Sequence, residues 1–187
     1  MPSITDSRLL APSCPALGPA AMVHENPWFT VMDRGGYFTM ESPPQVIILP
    51  VVDNRAVVMV RVRRPVVADC PLELPAGGFA DGEAPHQAAA RELAEETGIR
   101  IDDPQRFLPQ PPVAGSPDRN PLLLHIFRVD LTPDDFLTRG PHDQEIQAVE
   151  LLDYPRVARL LHQGEIYVAA PMAVLGRHLL GLDASSV

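Results

Sequence analysis

Two runs of apolar, β-branched residues form the clearest pattern in the chain. Residues 45–52 read QVIILPVV and residues 56–62 read AVVMVRV, with a short polar break, Asp53 to Arg55, between them. Val and Ile favour strands, and a polar break of this kind is typical of a turn. The pattern therefore predicts two paired strands near the centre of a sheet.

Three further segments have strand character. They are residues 72–74 (LEL), residues 121–131 (PLLLHIFRVDL) and residues 145–151 (EIQAVEL). The first ends at a tight Pro-Ala-Gly-Gly loop. The stretch between the last two contains Pro133, Gly140 and Pro141, and it is predicted as a polar loop.

Helical signals follow the first strands and recur near the end of the chain. Residues 85–97 are rich in Ala, Glu and Leu, begin with a proline and stop before Gly98, which is typical of a helix. Asp153 is a suitable cap for a helix over residues 153–161, with Gly164 as its end. A last helix is predicted over residues 170–180.

The N-terminal part of the chain differs in character. Residues 1–22 mix Pro, Ser and Ala without a period, which predicts a mobile tail. Within residues 23–44, WFTVMD and YFTME flank Gly35 and Gly36, which predicts a β-hairpin. Residues 45–187 are then the main domain. Strands and helices are mixed without regular βαβ alternation, so the fold class is α+β.

Composition narrows the possible functions. The 22 prolines cluster in the first 20 residues, around residues 43–44 and over residues 104–121, which predicts loops or tails there. A net charge of −9 argues against a nucleic-acid partner. No apolar run is long enough to span a membrane. Cys14 and Cys70 form no metal or disulfide pattern, so a cytoplasmic location is expected.

Three glutamates crowd one face of the helix predicted over residues 85–97. Successive helical residues are about 100° apart, so Glu92, Glu95 and Glu96 fall within roughly one third of the circumference. Like charges four residues apart repel unless something neutralises them. Mg²⁺ takes oxygen ligands, usually from one or two carboxylates and the substrate's phosphates. A solvated charged face is the alternative that this pattern alone leaves open.

The residues around these acids resemble a known signature. Residues 77–99 read GGFADGEAPHQAAARELAEETGI, which matches every fixed position of the Nudix box, Gly-x5-Glu-x7-Arg-Glu-U-x-Glu-Glu-x-Gly-U with U aliphatic. The chain is identified as a member of the Nudix hydrolase family. The resemblance implies the Nudix fold, with mixed β-sheets between helices, and Mg²⁺-dependent hydrolysis of a diphosphate bond. Mn²⁺ is expected to substitute for Mg²⁺.

The same resemblance implies a role for each box position. Glu92 and Glu96 are expected to be the principal metal ligands, with Glu95 as a further ligand or an orienting, catalytic acid. The remaining expectations are a metal-ligating carbonyl at Ala76, a salt-bridging arginine at Arg91 that serves catalysis, a supporting acid at Glu83, and loop-turn glycines at Gly77 and Gly98.

Outside the box, the chain resembles the ADP-ribose pyrophosphatase branch of the family. The stretch VRVRRPVVADCPLELPAG, residues 60–77, carries this likeness. It implies that Arg63 binds substrate phosphates and that Glu73 lines the pocket. Trp28 is a candidate for stacking on a base, although a buried hairpin aromatic is equally consistent. The N-terminal strands of this branch commonly exchange across a homodimer, so a homodimer is expected.

Substrate and catalytic base stay open at this point. Residues 115–120 (GSPDRN) replace the branch's usual Ser-Pro-Gly segment, which leaves the sugar undetermined. The loop before residue 146 resembles an acidic loop that supplies a base, and both Asp143 and Glu145 fit. The favoured substrate is ADP-ribose or a similar nucleoside diphosphate sugar. Alternatives are another nucleoside diphosphate derivative, or a catalytically silent Nudix-fold binding module.

Overall fold

The computed structural model describes residues 6–9, 14 and 16–184. The predicted mobile tail, residues 1–22, lies partly outside the described residues. Strand β1 begins at Ala21, inside the stretch that the sequence predicted as tail.

The chain forms ten strands and four α-helices within its described part, together with two short 3₁₀ turns. The strands are β1 Ala21–Glu25, β2 Thr30–Asp33, β3 Phe38–Glu41, β4 Gln45–Val52, β5 Ala56–Val62, β6 Leu72–Glu73, β7 Ala76–Gly78, β8 Phe107–Ala114, β9 Leu123–Leu131 and β10 Ile146–Asp153. The helices are α1 Pro85–Thr97, α2 Pro133–Leu137, α3 Tyr154–Gln163 and α4 Ala169–Ala184.

The main sheet is mixed and lies between helices. Its strand order is β10-β5-β4-β9-β8, with β6 added to β5 and β7 added to β4. Strands β4 and β9 run parallel, and the other pairs are antiparallel. The predicted α+β class and Nudix-type layering are confirmed. In the N-terminal region, β1, β2 and β3 form a separate antiparallel sheet, so the predicted hairpin has a third strand.

A hydrophobic cluster covers each face of the main sheet. On one face, Ile47 and Met59 pack with Val157 of α3 and Leu175 of α4. On the other face, alternate strand residues pack against α1, whose Leu93 is fully buried. Alternation along β4 and β5 therefore supplies both cores, as expected for central strands covered on both sides. Helix α1 is packed against this face of the sheet.

The predicted loop over residues 104–121 is wrong in part, because it contains β8. Three prolines, Pro109, Pro111 and Pro112, lie within this strand. Proline cannot donate to a ladder and is tolerated at a sheet edge or a bulge. Strand β8 lies at the edge of the sheet, and its pairing with β9 is irregular between Gln110 and Val113. The prolines therefore mark an edge strand here.

The polar loop predicted between β9 and β10 is also incomplete, because it contains α2. Thr132 caps this helix by accepting a hydrogen bond from the Asp135 N–H, and Pro133 occupies the first turn. The Asp135 carboxylate in turn accepts from the Thr132 N–H at 2.7 Å. This reciprocal pair is a capping box, a signal that the sequence contained.

Within the described part of the chain, no helix combines the length and the apolar character that crossing a bilayer requires.

Candidate active site

Helix α1 places its acidic residues beside the loop that precedes it. The helix starts at Pro85, where the Gln87 side chain accepts a hydrogen bond from the Ala84 N–H at 2.9 Å. It ends at Gly98, whose φ of 73° is in the left-handed region that favours glycine. Ala88 and Leu93 face the core, which turns Glu92 and Glu96 towards β7.

Glu92 and Glu96 are buried carboxylates one helical turn apart. Burial raises the pKa of Glu96 to about 8, a hydrogen bond from the Ala76 N–H at 3.0 Å opposes the rise, and the Glu92 charge adds to it. Burial also raises the pKa of Glu92, against the opposing effect of Arg91. Two ionised carboxylates at this depth are costly, and a bound cation would offset that cost.

Arg91 links the loop before α1 to the acidic residues of α1. Its guanidinium contacts Glu83 at 3.0 Å, Glu92 at 2.7 Å and Glu95 at 2.9 Å. It also donates to the Gly78 carbonyl at 2.6 Å. These contacts raise the pKa of Arg91, and the hydrogen bond from Arg91 lowers the pKa of Glu83. The half-exposed Glu95 is thus held by an arginine and orients Arg91 in return.

Glycine is needed at position 77 because a side chain there would occupy the space of a neighbouring group, and not because the backbone makes a turn. It lies in β7, opposite Val46 of β4, and it is absent from the glycines with positive φ. A Cβ built at this position would lie 2.1 Å from the carboxyl carbon of Glu92. The predicted reason for Gly77 was therefore wrong: the missing side chain makes space for a buried carboxylate.

The loop between α2 and β10 is attached to the end of α1 through main-chain atoms. Gly140 donates its N–H to the Gly98 carbonyl at 2.9 Å, and Asp143 donates its N–H to the Glu95 carbonyl at 2.8 Å. This attachment brings Glu145 close enough for its charge to raise the pKa of Glu96. The charge of Glu145, one of the two candidate bases, thus acts on a buried acid of α1.

The chain is similar in sequence to proteins of a known family. Residues 41–170 match the family model described as the NUDIX domain. This chain belongs to the Nudix family. It is 33% identical to the ADP-sugar pyrophosphatase of Mus musculus over 99 residues, which are 51% of this chain and 44% of the mouse protein.

A second relative matches over more of the chain. The CMP-5'-(N-acetyl-N-hydroxy-3-aminopropyl)phosphonate hydrolase of Streptomyces rubellomurinus (strain ATCC 31215) is 31% identical over 169 residues. That match covers 83% of this chain and 79% of the Streptomyces protein. The matched part of this chain spans less than half the length of the mouse relative.

The chemistry of the Nudix acids fits a divalent metal, which Nudix hydrolases generally use. Within the described residues, no three Asp, Glu, His or Cys side chains form a group with metal-binding geometry. Glu92 and Glu96 nevertheless provide two buried carboxylates, and the Gly77 gap gives them room. Such a pair suits an ion that keeps several waters and takes its other ligands from phosphates.

The predicted residues outside the Nudix box lie in different places. Arg63 is exposed, and its main-chain N–H donates to the Glu145 carbonyl at 3.3 Å. Glu73 is buried and receives two hydrogen bonds from Arg64, a residue that sequence reasoning did not select. The hairpin register that pairs Val60 with Glu73 could not be derived from the sequence. The alternation of side chains along a strand was a usable signal, because it places Arg64 on the same face as Val60.

Trp28 lies in the turn between β1 and β2. Its side chain is 73% exposed, and its main-chain N–H donates to the Asn26 side chain at 2.9 Å. The cleft that it lines is formed by residues of the N-terminal sheet and the segment after it, namely Asn26, Pro27, Phe29, Thr30, Glu41, Ser42 and Pro43. The alternative of a buried aromatic is therefore wrong, and the ring is free to meet a ligand or a second chain.

Proposed function

We propose that this Nudix hydrolase cleaves the diphosphate bond of ADP-ribose or a similar nucleoside diphosphate sugar, with Mg²⁺ as its metal. The products are a nucleoside monophosphate and a sugar phosphate. The observation that carries the proposal is the pair of buried carboxylates, Glu92 and Glu96, facing β7. The nucleotide-sugar part is supported by the likeness to a protein named ADP-sugar pyrophosphatase.

In this proposal each residue of the candidate site has a defined task. Glu92, Glu96 and the Ala76 carbonyl hold Mg²⁺, and Arg91 keeps Glu92 and Glu95 in position. When bound, Mg²⁺ supplies positive charge to the phosphate oxygens and acidifies water. The water oxygen attacks one phosphorus, the bridging P–O bond breaks, and the second phosphate leaves. Glu145 accepts the proton from the attacking water.

The test is a panel of substrates with analysis of the products. Purified protein is incubated with ADP-ribose, other nucleoside diphosphate sugars, nucleoside triphosphates and a CMP-linked phosphonate, with Mg²⁺, with Mn²⁺ and with a chelator. We expect release of AMP and ribose phosphate from ADP-ribose, loss of that release on chelation, and its recovery with either metal. Full turnover in the presence of chelator would contradict the metal assignment.

A CMP-linked phosphonate is the second candidate substrate. It is favoured by one observation, namely that the likeness to the Streptomyces hydrolase extends over 83% of this chain. The chemistry at the acids would be the same, because water again attacks phosphorus in an anhydride. The panel separates the two candidates by which compound shows the larger kcat/KM.

A base at Glu145 predicts a specific kinetic result. Glu145→Gln should lower kcat by about 10²-fold or more with little change in KM, because a base acts mainly in the transition state. Asp143→Asn is the matched control, since Asp143 binds α1 through its main chain. Steady-state kinetics gives kcat and KM for both variants and shows which of the two residues acts as the base. A crippled Asp143→Asn with a fast Glu145→Gln would transfer the role to Asp143.

A homodimer is the assembly that we propose. The separate sheet of β1, β2 and β3 exposes large apolar side chains, namely Met22, Val23, Trp28, Tyr37, Phe38 and Met40. An apolar surface of this kind is typical of a contact between chains. Light scattering during size-exclusion chromatography measures the mass, and a monomer at micromolar concentration would contradict the proposal.

A further inference from the structure

Gly98 lies directly against the main chain of the loop between α2 and β10. A Cβ built at residue 98 would lie 2.1 Å from the carbonyl oxygen of Gly140 and 2.7 Å from its carbonyl carbon. Both distances are below 3.0 Å, which is closer than Cβ atoms come to other heavy atoms. The obstructing atoms belong to the backbone, so they cannot rotate away as the end of a side chain can. Any side chain at residue 98 would therefore displace the loop.

This lack of space is separate from the role of Gly98 in ending the helix. Gly164 ends α3 as Gly98 ends α1, and the φ angles of the two glycines are 74° and 73°. A Cβ at residue 164 would meet nothing within 4 Å. Both caps thus need the left-handed conformation that glycine adopts readily. Of the two, only Gly98 also needs to lack a side chain for reasons of space.

The contact at Gly98 is the first of two points at which the loop is bonded to the end of α1. The Gly140 N–H donates to the Gly98 carbonyl at 2.9 Å. Three residues later, the Asp143 N–H donates to the Glu95 carbonyl at 2.8 Å. Carbonyl groups at the end of a helix have no partner within the helix, so the loop satisfies them. The close approach at Gly98 allows the loop to reach both.

The docked loop continues into the turn that carries Glu145. The Asp143 carbonyl accepts a hydrogen bond from the Ile146 N–H at 3.2 Å, which closes this turn. After the turn, Ile146 pairs with Val62 of β5. The Glu145 carbonyl accepts from the Arg63 N–H at 3.3 Å. The turn is therefore bonded to α1 before Glu145 and to β5 after it, and the direction of the Glu145 side chain depends on both attachments.

We propose that Gly98 is a positioning residue, because the space left by its missing side chain lets residue 140 dock on α1 and this docking aligns Glu145 with the buried acids. The inference rests on the role of Glu145 in the proposed function. A displacement of about 1 Å at a catalytic group can cost about 10²-fold in rate, so such alignment affects turnover.

The experiment replaces each of the two cap glycines with asparagine. Asparagine adopts the left-handed conformation more readily than most residues that have a Cβ, so both replacements suit the cap. Gly98→Asn adds a Cβ where the loop lies, and Gly164→Asn, the matched control, adds one in open space. Hydrogen exchange measured by mass spectrometry on peptides covering residues 138–146 reports whether the loop is docked. Circular dichroism reports the fold, and kinetics are measured with ADP-ribose and Mg²⁺.

In Gly98→Asn we expect the amides of residues 140 and 143 to lose their protection from exchange, because their hydrogen bonds to α1 are broken. The value of kcat should fall by about 10- to 100-fold with little change in KM, since a base acts mainly in the transition state. Gly164→Asn should match wild type in both measurements. Native exchange or native kcat in Gly98→Asn would overturn the inference. So would loss of the whole fold in Gly98→Asn alone, because the contact would then serve folding.

A double variant tests whether the docking acts through Glu145. Gly98→Asn combined with Glu145→Gln should be slower than Glu145→Gln by no more than about twofold, because the same contribution is removed twice. Two effects that multiply would show that Gly98 acts on another group, and the positioning role would be refuted.

The exchange measurement separates this inference from the proposed reaction, because it needs no substrate. If wild type does not cleave ADP-ribose, the proposed function fails, and lost protection in Gly98→Asn with native protection in Gly164→Asn still supports docking at Gly98. Equal protection in the two variants refutes docking, whatever the wild-type protein hydrolyses.

Discussion

Glu96→Gln is expected to lower kcat by at least about 100-fold in saturating Mg²⁺ while the protein remains folded. The change keeps the shape of the side chain and removes the charge that would hold the metal. Charge stabilisation by a metal contributes several kcal/mol, and roughly 1.4 kcal/mol corresponds to a tenfold change in rate. Rate measurements at several Mg²⁺ concentrations, with circular dichroism as a check of the fold, give the result.

Glu165→Gln is the matched control, because Glu165 is an exposed glutamate in the turn after α3. It should retain wild-type turnover. If Glu96→Gln were as fast as this control, Glu96 would not be a metal ligand.

The same variant has a second expected effect, on stability without metal. The pKa of Glu96 in the folded protein, about 8, is above its ordinary value of 4.5, so folding favours the protonated form. This contribution is complete below the ordinary value and is lost as the pH rises through about 8. In the presence of chelator, wild type should therefore lose more stability than Glu96→Gln between pH 5 and pH 8. Urea unfolding at both pH values measures the difference.

Gly77→Ala is expected to reduce turnover severely with little loss of stability. A Cβ at residue 77 would lie 2.1 Å from the Glu92 carboxyl carbon, so this carboxylate must move. The moving atoms are the end of a flexible side chain, which keeps the cost in folding small. Arg91 holds the same carboxylate at 2.7 Å, so the displacement also disturbs that ion pair. We expect kcat/KM to fall by about 10²-fold, as a shift of about 1 Å in a catalytic site can cost.

Gly78→Ala is the neighbouring control for this prediction. A Cβ at residue 78 meets nothing within 4 Å, and Gly78 is not among the glycines with positive φ. Its melting temperature and its kinetics should both match the wild type. Equal activity of the two alanine variants would show that Glu92 tolerates displacement and is not a precisely placed ligand.

The fold was predictable where local signals and tertiary packing agree. The observed bounds of β4, β5 and α1 are those predicted, because β-branched runs fill central strands and α1 has both a Pro85 start and a Gly98 stop. Strand β8 was missed because its prolines suggested a loop, and only its position at the sheet edge makes them acceptable. Local composition does not report which strand becomes an edge.

The candidate site was predictable where its residues lie close together along the chain. The acids of α1 follow one another at fixed helical spacing, so their shared face could be derived from the sequence. The pairing of Arg64 with Glu73 depends on the register of a hairpin, and the room at Gly77 depends on how closely β7 approaches α1. Both are properties of packing between segments, which spacing along the chain does not contain.

The attachment of the loop before β10 has a consequence for which residues of the loop can vary. The loop is held by the main-chain N–H groups of Gly140 and Asp143, which bond to carbonyls at the end of α1. Main-chain atoms are the same for nearly every residue type, so exchanging the side chains of His142 or Gln144 does not break the attachment. The side chains at positions 142 and 144 can therefore vary while the main chain of the loop, and with it Glu145, keeps its place beside α1.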